Sequence, residues 1–395
     1  MVGLAGRSRQ CIMIIIREGF TKTSFSQKPL YCVWKIGSFI SMGKIRNEFA
    51  GESKSLRKDN VGEAGAVAEM ESEALSLDIR RIVTDSDLDG VVTGAILRRW
   101  WPDAEVVFGH PGELRAGLLD DCIDRHTAVC DLPRHPNCGL SIDHHQSNAP
   151  TESDDDGVVV VWRQAPSAAR IAYDLLSNDV DLDAMSQMLN WVDKLDGGGI
   201  TREEFRSDHP VIWLGRIIDV ESGLALHVLE ALQHGVSGEA VLSDPKVAPA
   251  LGERRRRQAE MDTGISDSTE VIDRLAIARL EGRGLRSNGY HVTALVGDDC
   301  DACLVVHGDV GASFGERDRY PVSASFYTNS FLHTAGGLYD LTRLATQFDP
   351  DGGGHANACG CRIQALEAGT RVDRVVTEGD IEANLAAWLE MWAER

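Results

Sequence analysis

The chain has no apolar run long enough to cross a bilayer. Its most hydrophobic stretch, Ile12-Met13-Ile14-Ile15-Ile16, falls far short of the roughly 20 residues a spanning helix needs. No cleavage site follows an adequate signal-like segment, so neither a secretory leader nor a membrane partner is expected. Basic residues are few beside acidic ones: 40 Lys and Arg against 61 Asp and Glu give a formal net charge of -21. A surface of that sign repels long polyanions, so long duplex DNA is not an expected partner. A phosphorylated substrate then requires a locally positive cleft or bound metal. The nine cysteines are odd in number and scattered, which argues against a disulfide framework and for reduced thiols in a cytoplasm. Cys300-x-x-Cys303 and Cys359-x-Cys361 raise the question of zinc. Structural zinc needs four converging ligands, and alternate thiols packed inside a sheet are the simpler reading.

Charge is unevenly distributed. Residues 1–59 hold eleven Lys and Arg and four Asp and Glu, a net +7, and the remainder carries a net -28. A basic, disordered or non-native extension is therefore expected over residues 1–75, dispensable if translation starts at Met42 or Met70. The length suits two domains. Short apolar segments at Ile82-Val83, Glu105 to Phe108, Ala128 to Cys130 and Leu140 to Ile142 alternate with helical stretches at Val91 to Trp101 and Ser167 to Leu176. That alternation predicts an α/β fold with a parallel sheet over residues 76–235. Trp100 and Trp101 are read as helix-end packing and Asp154-Asp155-Asp156 as a solvated loop. Residues 236–280 are read as a helical linker. Its Arg254-Arg255-Arg256-Arg257 run spreads around a helix instead of forming one face. Residues 281–395 are expected to form a smaller α/β domain, with strands at His291 to Val296, Cys303 to Val306 and Val322 to Phe326.

The chemistry concentrates in a few motifs. Asp85-Ser86-Asp87-Leu88-Asp89-Gly90 places carboxylates on alternate positions after a buried strand. Thr127-Ala128-Val129-Cys130-Asp131 ends a second apolar run in Asp, and Ser141-Ile142-Asp143-His144-His145 ends a third in a carboxylate and two imidazoles. Asn190 to Asp196 closes a helical stretch with Asp193 and Asp196. Carboxylates at the carboxyl edge of a buried sheet are costly unless ligated or hydrogen-bonded, and open α/β sheets bind ligands at that edge. Oxygen ligands suit Mg²⁺ or Mn²⁺, and an added imidazole favours manganese. Four such elements can hold two divalent cations, which activate water and stabilise a phosphoryl displacement.

These residues resemble the DHH phosphoesterase superfamily, through the triplet Asp143-His144-His145, the order of the preceding Asp motifs, and Gly352-Gly353-Gly354-His355 far downstream. The resemblance covers roughly residues 79 to 390. It implies a catalytic metal-binding domain followed by a substrate-binding domain that carries the glycine motif. It implies metal ligation by Asp87, Asp89, Asp131, His144 and Asp193, with Asp196 as the alternative for the last. Asp131 would bridge the metals, Asp143 would orient an imidazole, and His145 would stabilise charge on phosphate. Gly352, Gly353, Gly354 and His355 would contact the substrate, their backbone amides approaching an anion closely. Two positions depart from the pattern. Val83 stands where many relatives have His, and Ser325-Phe326-Tyr327-Thr328-Asn329-Ser330 lacks the Arg of a phosphate-contacting strand.

The expected activity is Mn²⁺-dependent hydrolysis of phosphodiesters in short oligonucleotides or dinucleotides. The alternatives are an exopolyphosphatase splitting phosphoanhydrides and a non-catalytic nucleotide-binding regulator. A homodimer is compatible with either enzymatic reading.

Overall fold

Each buried apolar segment of the first half becomes a strand. In the computed structural model the described residues are 59–151, 157–218, 223–313, 316 and 319–395. The Asp154-Asp155-Asp156 loop and residues 1–58 lie outside them. After helix α1 (Asp59–Ser76) come β1 (Arg81–Asp85), α2 (Leu88–Leu97), β2 (Glu105–Gly109), α3 (Pro111–Arg115), β3 (Thr127–Cys130), β4 (Leu140–Asp143) and β5 (Val159–Trp162). The strands lie in the order β2-β1-β3-β4-β5, every pairing parallel. The expected α/β parallel sheet is thus observed, with β5 as an unforeseen edge strand. This order reverses direction between β1 and β3, and in doubly wound sheets such a switch point opens a crevice at the carboxyl ends of the strands.

Helices α4 (Ala168–Leu176), α5 (Asp183–Asp196), α6 (Arg202–Arg206), α7 (Pro210–Ile217), α8 (Leu224–Gln233) and α9 (Gly238–Leu242) follow. Every residue of α2 is buried, consistent with its apolar character on all sides. It forms one core with α4, α5, α8 and the sheet, through residues such as Ile96, Ile171, Leu189 and Leu229. Trp100 and Trp101 do pack at the end of α2, their Nε1 atoms donating to the carbonyls of Leu75 and Leu77 at 3.1 and 3.0 Å.

The long helix α10 (Ala248–Ser268) leads into β6 (Thr269–Ile272), β7 (Leu275–Arg279), α11 (Gly289–Val296), β8 (Ala302–His307), β9 (Ser323–Thr328) and α12 (Thr342–Ala345). Then come β10 (Gly353–His355), β11 (Ala358–Arg362), β12 (Leu366–Glu367), β13 (Thr370–Arg371) and α13 (Glu378–Ala393). The second sheet runs β10-β11-β9-β8-β7-β6, with β7 and β8 parallel and the other pairs antiparallel. Trp388 and Trp392 of α13 cover one face with Leu304 and Phe326, and α11 covers the other with Ala276 and Cys303.

Three expectations need correction. The extension drawn to residue 75 runs into α1, whose Ala74 is fully buried and whose Glu71 pairs with Arg163. The helical linker ends at Ser268, before residue 280, because β6 and β7 form a hairpin. Its turn residues Asp273 and Arg274 have φ of 44° and 63°, without the glycine that normally advertises such a turn. His291 to Val296 is helical, the Asn288 side chain accepting from the His291 amide as the N-cap. Packing of Val292, Leu295 and Val296 against sheet residues such as Ala276 and Val305 outweighs their strand-like composition. The cysteine spacings make no zinc site among the described residues. Cys300 and Cys303 lie in the core under α11, and Cys359 and Cys361 in the core under α13.

Candidate metal centre

The switch point gathers the motifs. Asp85 ends β1, Asp131 follows β3, and Asp143 ends β4, all buried. Asp87 caps α2, its Oδ1 accepting from the Gly90 amide at 3.0 Å. Gly90 is required by proximity, since a Cβ there would stand 2.1 Å from the Asp85 carbonyl oxygen. Asp89, one residue into the same buried helix, reaches the start of α4. Its carboxylate accepts from the amides of Ala168 and Ala169, each at 2.8 Å. Asp131 is held at φ 53°, left-handed for a side chain that prefers otherwise. Backbone outliers of this kind concentrate where a site over-determines the geometry.

The two histidines are oriented differently. His144 Nδ1 lies 3.1 Å from the Ala165 carbonyl, which turns Nε2 towards the carboxylates. Nε2 is 3.0 Å from Asp196 Oδ2, 3.6 Å from Asp131 Oδ1 and 3.7 Å from Asp89 Oδ2. Asp143 Oδ1 accepts from the amides of His144 and His145 and lies 2.8 Å from His145 Nδ1. Its other oxygen accepts from Asn148 Nδ2 at 2.6 Å. Asp143 therefore orients His145, while a backbone carbonyl orients His144.

Three overlapping groups result: Asp85 with Asp87 and Asp131; Asp89 with His144 and Asp196; and Asp131 with Asp143, His144 and His145. Within each, one donor atom per residue lies within 4.8 Å of the others. Asp131 and His144 each belong to two groups. The buried atoms Asp131 Oδ1, His144 Nε2 and Asp196 Oδ2 have no hydrogen-bond partner. Such atoms are costly in a fold that otherwise satisfies its polar groups. With the carboxylate-and-imidazole donor set, they fit divalent cations.

Electrostatics agree. Burial, then the neighbouring carboxylates, pushes the Asp131 carboxyl well above its ordinary value, and burial followed by Asp196 does the same to Asp89. Burial also raises Asp196. Burial opposes a charged His144, but the carboxylates of Asp131 and Asp196 prevail and raise it to about 12.

Asp193 lies outside these groups. Its Oδ1 accepts from Ser167 Oγ at 2.7 Å and its Oδ2 from Arg170 Nη2 at 2.5 Å, so it ties α5 to α4. Asp196, on the last turn of α5, is the residue that enters the cluster. Sequence reasoning did not single out His110, which lies 3.6 Å from Asp85 and hydrogen-bonds Ser86 Oγ at 3.1 Å. The register pairing Asp85 with Gly109 puts Ser86 and His110 side by side, a proximity only the sheet reveals. Gly352 to His355 lie elsewhere: Gly353–His355 is edge strand β10, paired with β11, with His355 exposed. Gly353 and Gly354 have φ of 148° and 140°, conformations that favour glycine.

No protein-family model matches the sequence, and no curated protein is detectably similar to it. Solved structures do match. PggH from Vibrio cholerae, a pGpG-specific phosphodiesterase, aligns with TM-score 0.62 at 21% identity, over 80% of this chain and 99% of that one. A DHH domain described as a member of the s1p family of ribosomal proteins aligns with TM-score 0.43 at 12% identity, over 86% of this chain and 92% of that one. The exonuclease RecJ bound to manganese aligns with TM-score 0.42 at 15% identity, over 84% and 94%.

Proposed function

We propose that this chain, which has the fold of the DHH-domain proteins, is a metal-dependent phosphodiesterase acting on short oligonucleotides or dinucleotides. The observation that carries the proposal is the convergence of Asp85, Asp87, Asp89, Asp131, His144 and Asp196 at the switch point, where the buried Nε2 of His144 faces Asp131 Oδ1 and Asp196 Oδ2. The likeness in fold to a phosphodiesterase specific for pGpG, across nearly all of that protein, supports a dinucleotide-sized substrate.

Asp87, Asp89, Asp131, His144 and Asp196 would hold two divalent cations, manganese being favoured by the mixed donors, with Asp131 shared between them. Cations bound there lower the pKa of a water and stabilise charge on the phosphoryl oxygens. Asp143 fixes the ring of His145 through Nδ1, 2.8 Å from its Oδ1, and Nε2 of that ring would be the nitrogen that meets a phosphoryl oxygen. Gly352, Gly353, Gly354 and His355 supply contacts to substrate phosphate from the second domain.

The test is hydrolysis with Mn²⁺ of a linear dinucleotide, a cyclic dinucleotide, short RNA, a nucleoside bisphosphate and polyphosphate. Cleavage of the dinucleotide or short RNA in preference to polyphosphate is expected. Release of phosphate from polyphosphate alone would establish the exopolyphosphatase reading instead. Nucleotide binding without hydrolysis of any substrate would leave a non-catalytic regulator.

A further inference from the structure

The hydrolysis proposed for the metal cluster gives no role to His110, although its ring stands beside it. His110 is the first residue past β2, where Gly109 allows a close approach: a Cβ there would stand 2.6 Å from Leu119 Cδ1. The His110 amide donates to Glu113 Oε2 at 2.9 Å, an anchor that does not depend on the side chain. The parallel pairing of β2 with β1 sets Gly109 opposite Asp85, which brings the imidazole over the end of β1. Nδ1 lies 3.6 Å from Asp85 Oδ1, and Nδ1 and Nε2 lie 3.1 and 3.2 Å from Ser86 Oγ.

Two nitrogens almost equally far from one oxygen mean that the ring turns its Nδ1–Cε1–Nε2 edge towards Ser86 and Asp85. A single hydroxyl can engage one of them well, which leaves the other on the same edge for a second partner. Asp85 Oδ1 is already engaged, since it accepts from the Ser86 amide at 2.5 Å and from Ser86 Oγ at 3.4 Å. The His110 ring is half-exposed whereas Asp85 is buried, so the imidazole stands between the carboxylates and solvent. Asp85 shares a group with Asp87 and Asp131, and Asp131 shares another with Asp143, His144 and His145. Along the order β2-β1-β3-β4, His110 follows β2 and His145 follows β4. The two imidazoles therefore flank the carboxylates from opposite sides, three strand spacings or about 14 Å apart at the backbone.

We propose that His110 is a further catalytic residue, donating to a phosphoryl oxygen of the substrate from the Asp85 side of the cluster while His145 donates from the other. A phosphoryl group seated above Asp131 lies between the two rings. The inference rests on the phosphodiesterase reading of this site. It gives His110 contact with substrate and no share in holding cations, for which Asp87, Asp89, Asp131, His144 and Asp196 suffice.

The experiment compares the full-length wild type with His110→Phe, which keeps a ring without its nitrogens, and His110→Asn, which keeps a donor. Three quantities are measured: Mn²⁺ affinity by calorimetry, affinity of the Mn²⁺-loaded protein for inorganic phosphate, and initial rates on a linear dinucleotide over a range of concentrations. Both variants should bind Mn²⁺ as tightly as wild type. His110→Phe should bind phosphate at least roughly tenfold more weakly, as expected on loss of a hydrogen bond to an anion. It should also lose roughly 10²-fold in kcat/KM, the usual effect of removing one donor from developing charge. His110→Asn should recover part of both losses. Mn²⁺ affinity falling in step with the rate would make His110 a support for Asp85 and overturn the proposal. So would failure of the loaded wild type to bind phosphate, wild-type phosphate affinity in His110→Phe, or His110→Asn no better than His110→Phe. If the wild type hydrolyses no diester, the phosphodiesterase reading falls by itself, and the phosphate titration still decides whether His110 meets a phosphoryl group.

Discussion

Asp193 and Asp196 are three positions apart on α5, and their partners, more than their spacing, divide their roles. Ser167 and Arg170, more than twenty residues upstream on α4, capture Asp193. Asp196, on the final turn, is left facing His144. Nothing local in Asn190 to Asp196 could distinguish the two, whereas the strand-end residues Asp85, Asp131 and Asp143 were readable because an apolar run ending in Asp marks the carboxyl edge of a sheet. Asp196→Asn should therefore weaken Mn²⁺ binding and hydrolysis while leaving the fold intact. Asp193→Asn should keep Mn²⁺ affinity and cost about 1–3 kcal/mol of stability, measured by denaturant unfolding, because Arg170 loses its charged partner. Reversal of the two phenotypes would restore Asp193 as the ligand. The raised carboxyls make a second prediction. Without cation, folded Asp89 and Asp131 hold protons that the unfolded chain releases near the ordinary Asp value of 3.8. Their contribution to stability is present below that value and falls as pH rises through the folded values. A cation must displace those protons, so Mn²⁺ affinity should climb as pH rises above the ordinary Asp value, with protons released on binding. Calorimetry in buffers of different ionisation enthalpy measures the release, and an affinity independent of pH would contradict it.

Elements with a strong pattern were legible, and those defined by distant packing were not. The first four strands follow from buried apolar runs. Strand β5 was missed, although Val158 to Val161 is equally apolar, because the acidic stretch before it reads as loop. The β6–β7 hairpin was hidden by a turn of Asp273 and Arg274, and α11 by β-branched residues that suit either state. Helix α1 was obscured for a different reason: the composition of the basic segment before it was extended too far along the chain. Its last turns fasten the first domain, through the buried Ala74, the Leu75 carbonyl that accepts from Trp100, and Glu71 beside Arg163. A chain starting at Asp59 should unfold at the wild-type temperature. One starting at Leu77 should lose about 2–5 kcal/mol through the exposed core surface. Equal melting temperatures for the two would show that α1 is an appendage.

At the scale of the whole molecule, the carboxylate and imidazole cluster and the glycine motif lie in separate halves. Every residue of the metal cluster comes from the first domain: Asp85 at the end of β1, Asp87 and Asp89 at the start of α2, Asp131 after β3, Asp143 to His145 at and after the end of β4, and Asp196 on α5. The glycine motif sits on an edge strand of the second sheet. The sequence implied this division through the order of its motifs. It could not reveal how the halves join, because the contacts come from scattered single residues: Arg202 to Asp298 at 2.6 Å, and Phe205 against Tyr290 and Phe331. His355 is exposed and has no contact with the metal cluster among the described residues, so its removal leaves every ligand in place. His355→Ala should bind Mn²⁺ as tightly as wild type, yet lose roughly 10²-fold in kcat/KM for a dinucleotide if the imidazole meets substrate phosphate as the reaction proceeds. Asp89→Ala should show the opposite order of effects, with metal affinity falling first and hydrolysis following from it. Measuring Mn²⁺ affinity and initial rates for both variants over a range of substrate concentrations separates the two roles. Unchanged kinetics in His355→Ala would reduce β10 to an edge strand that merely completes the second sheet.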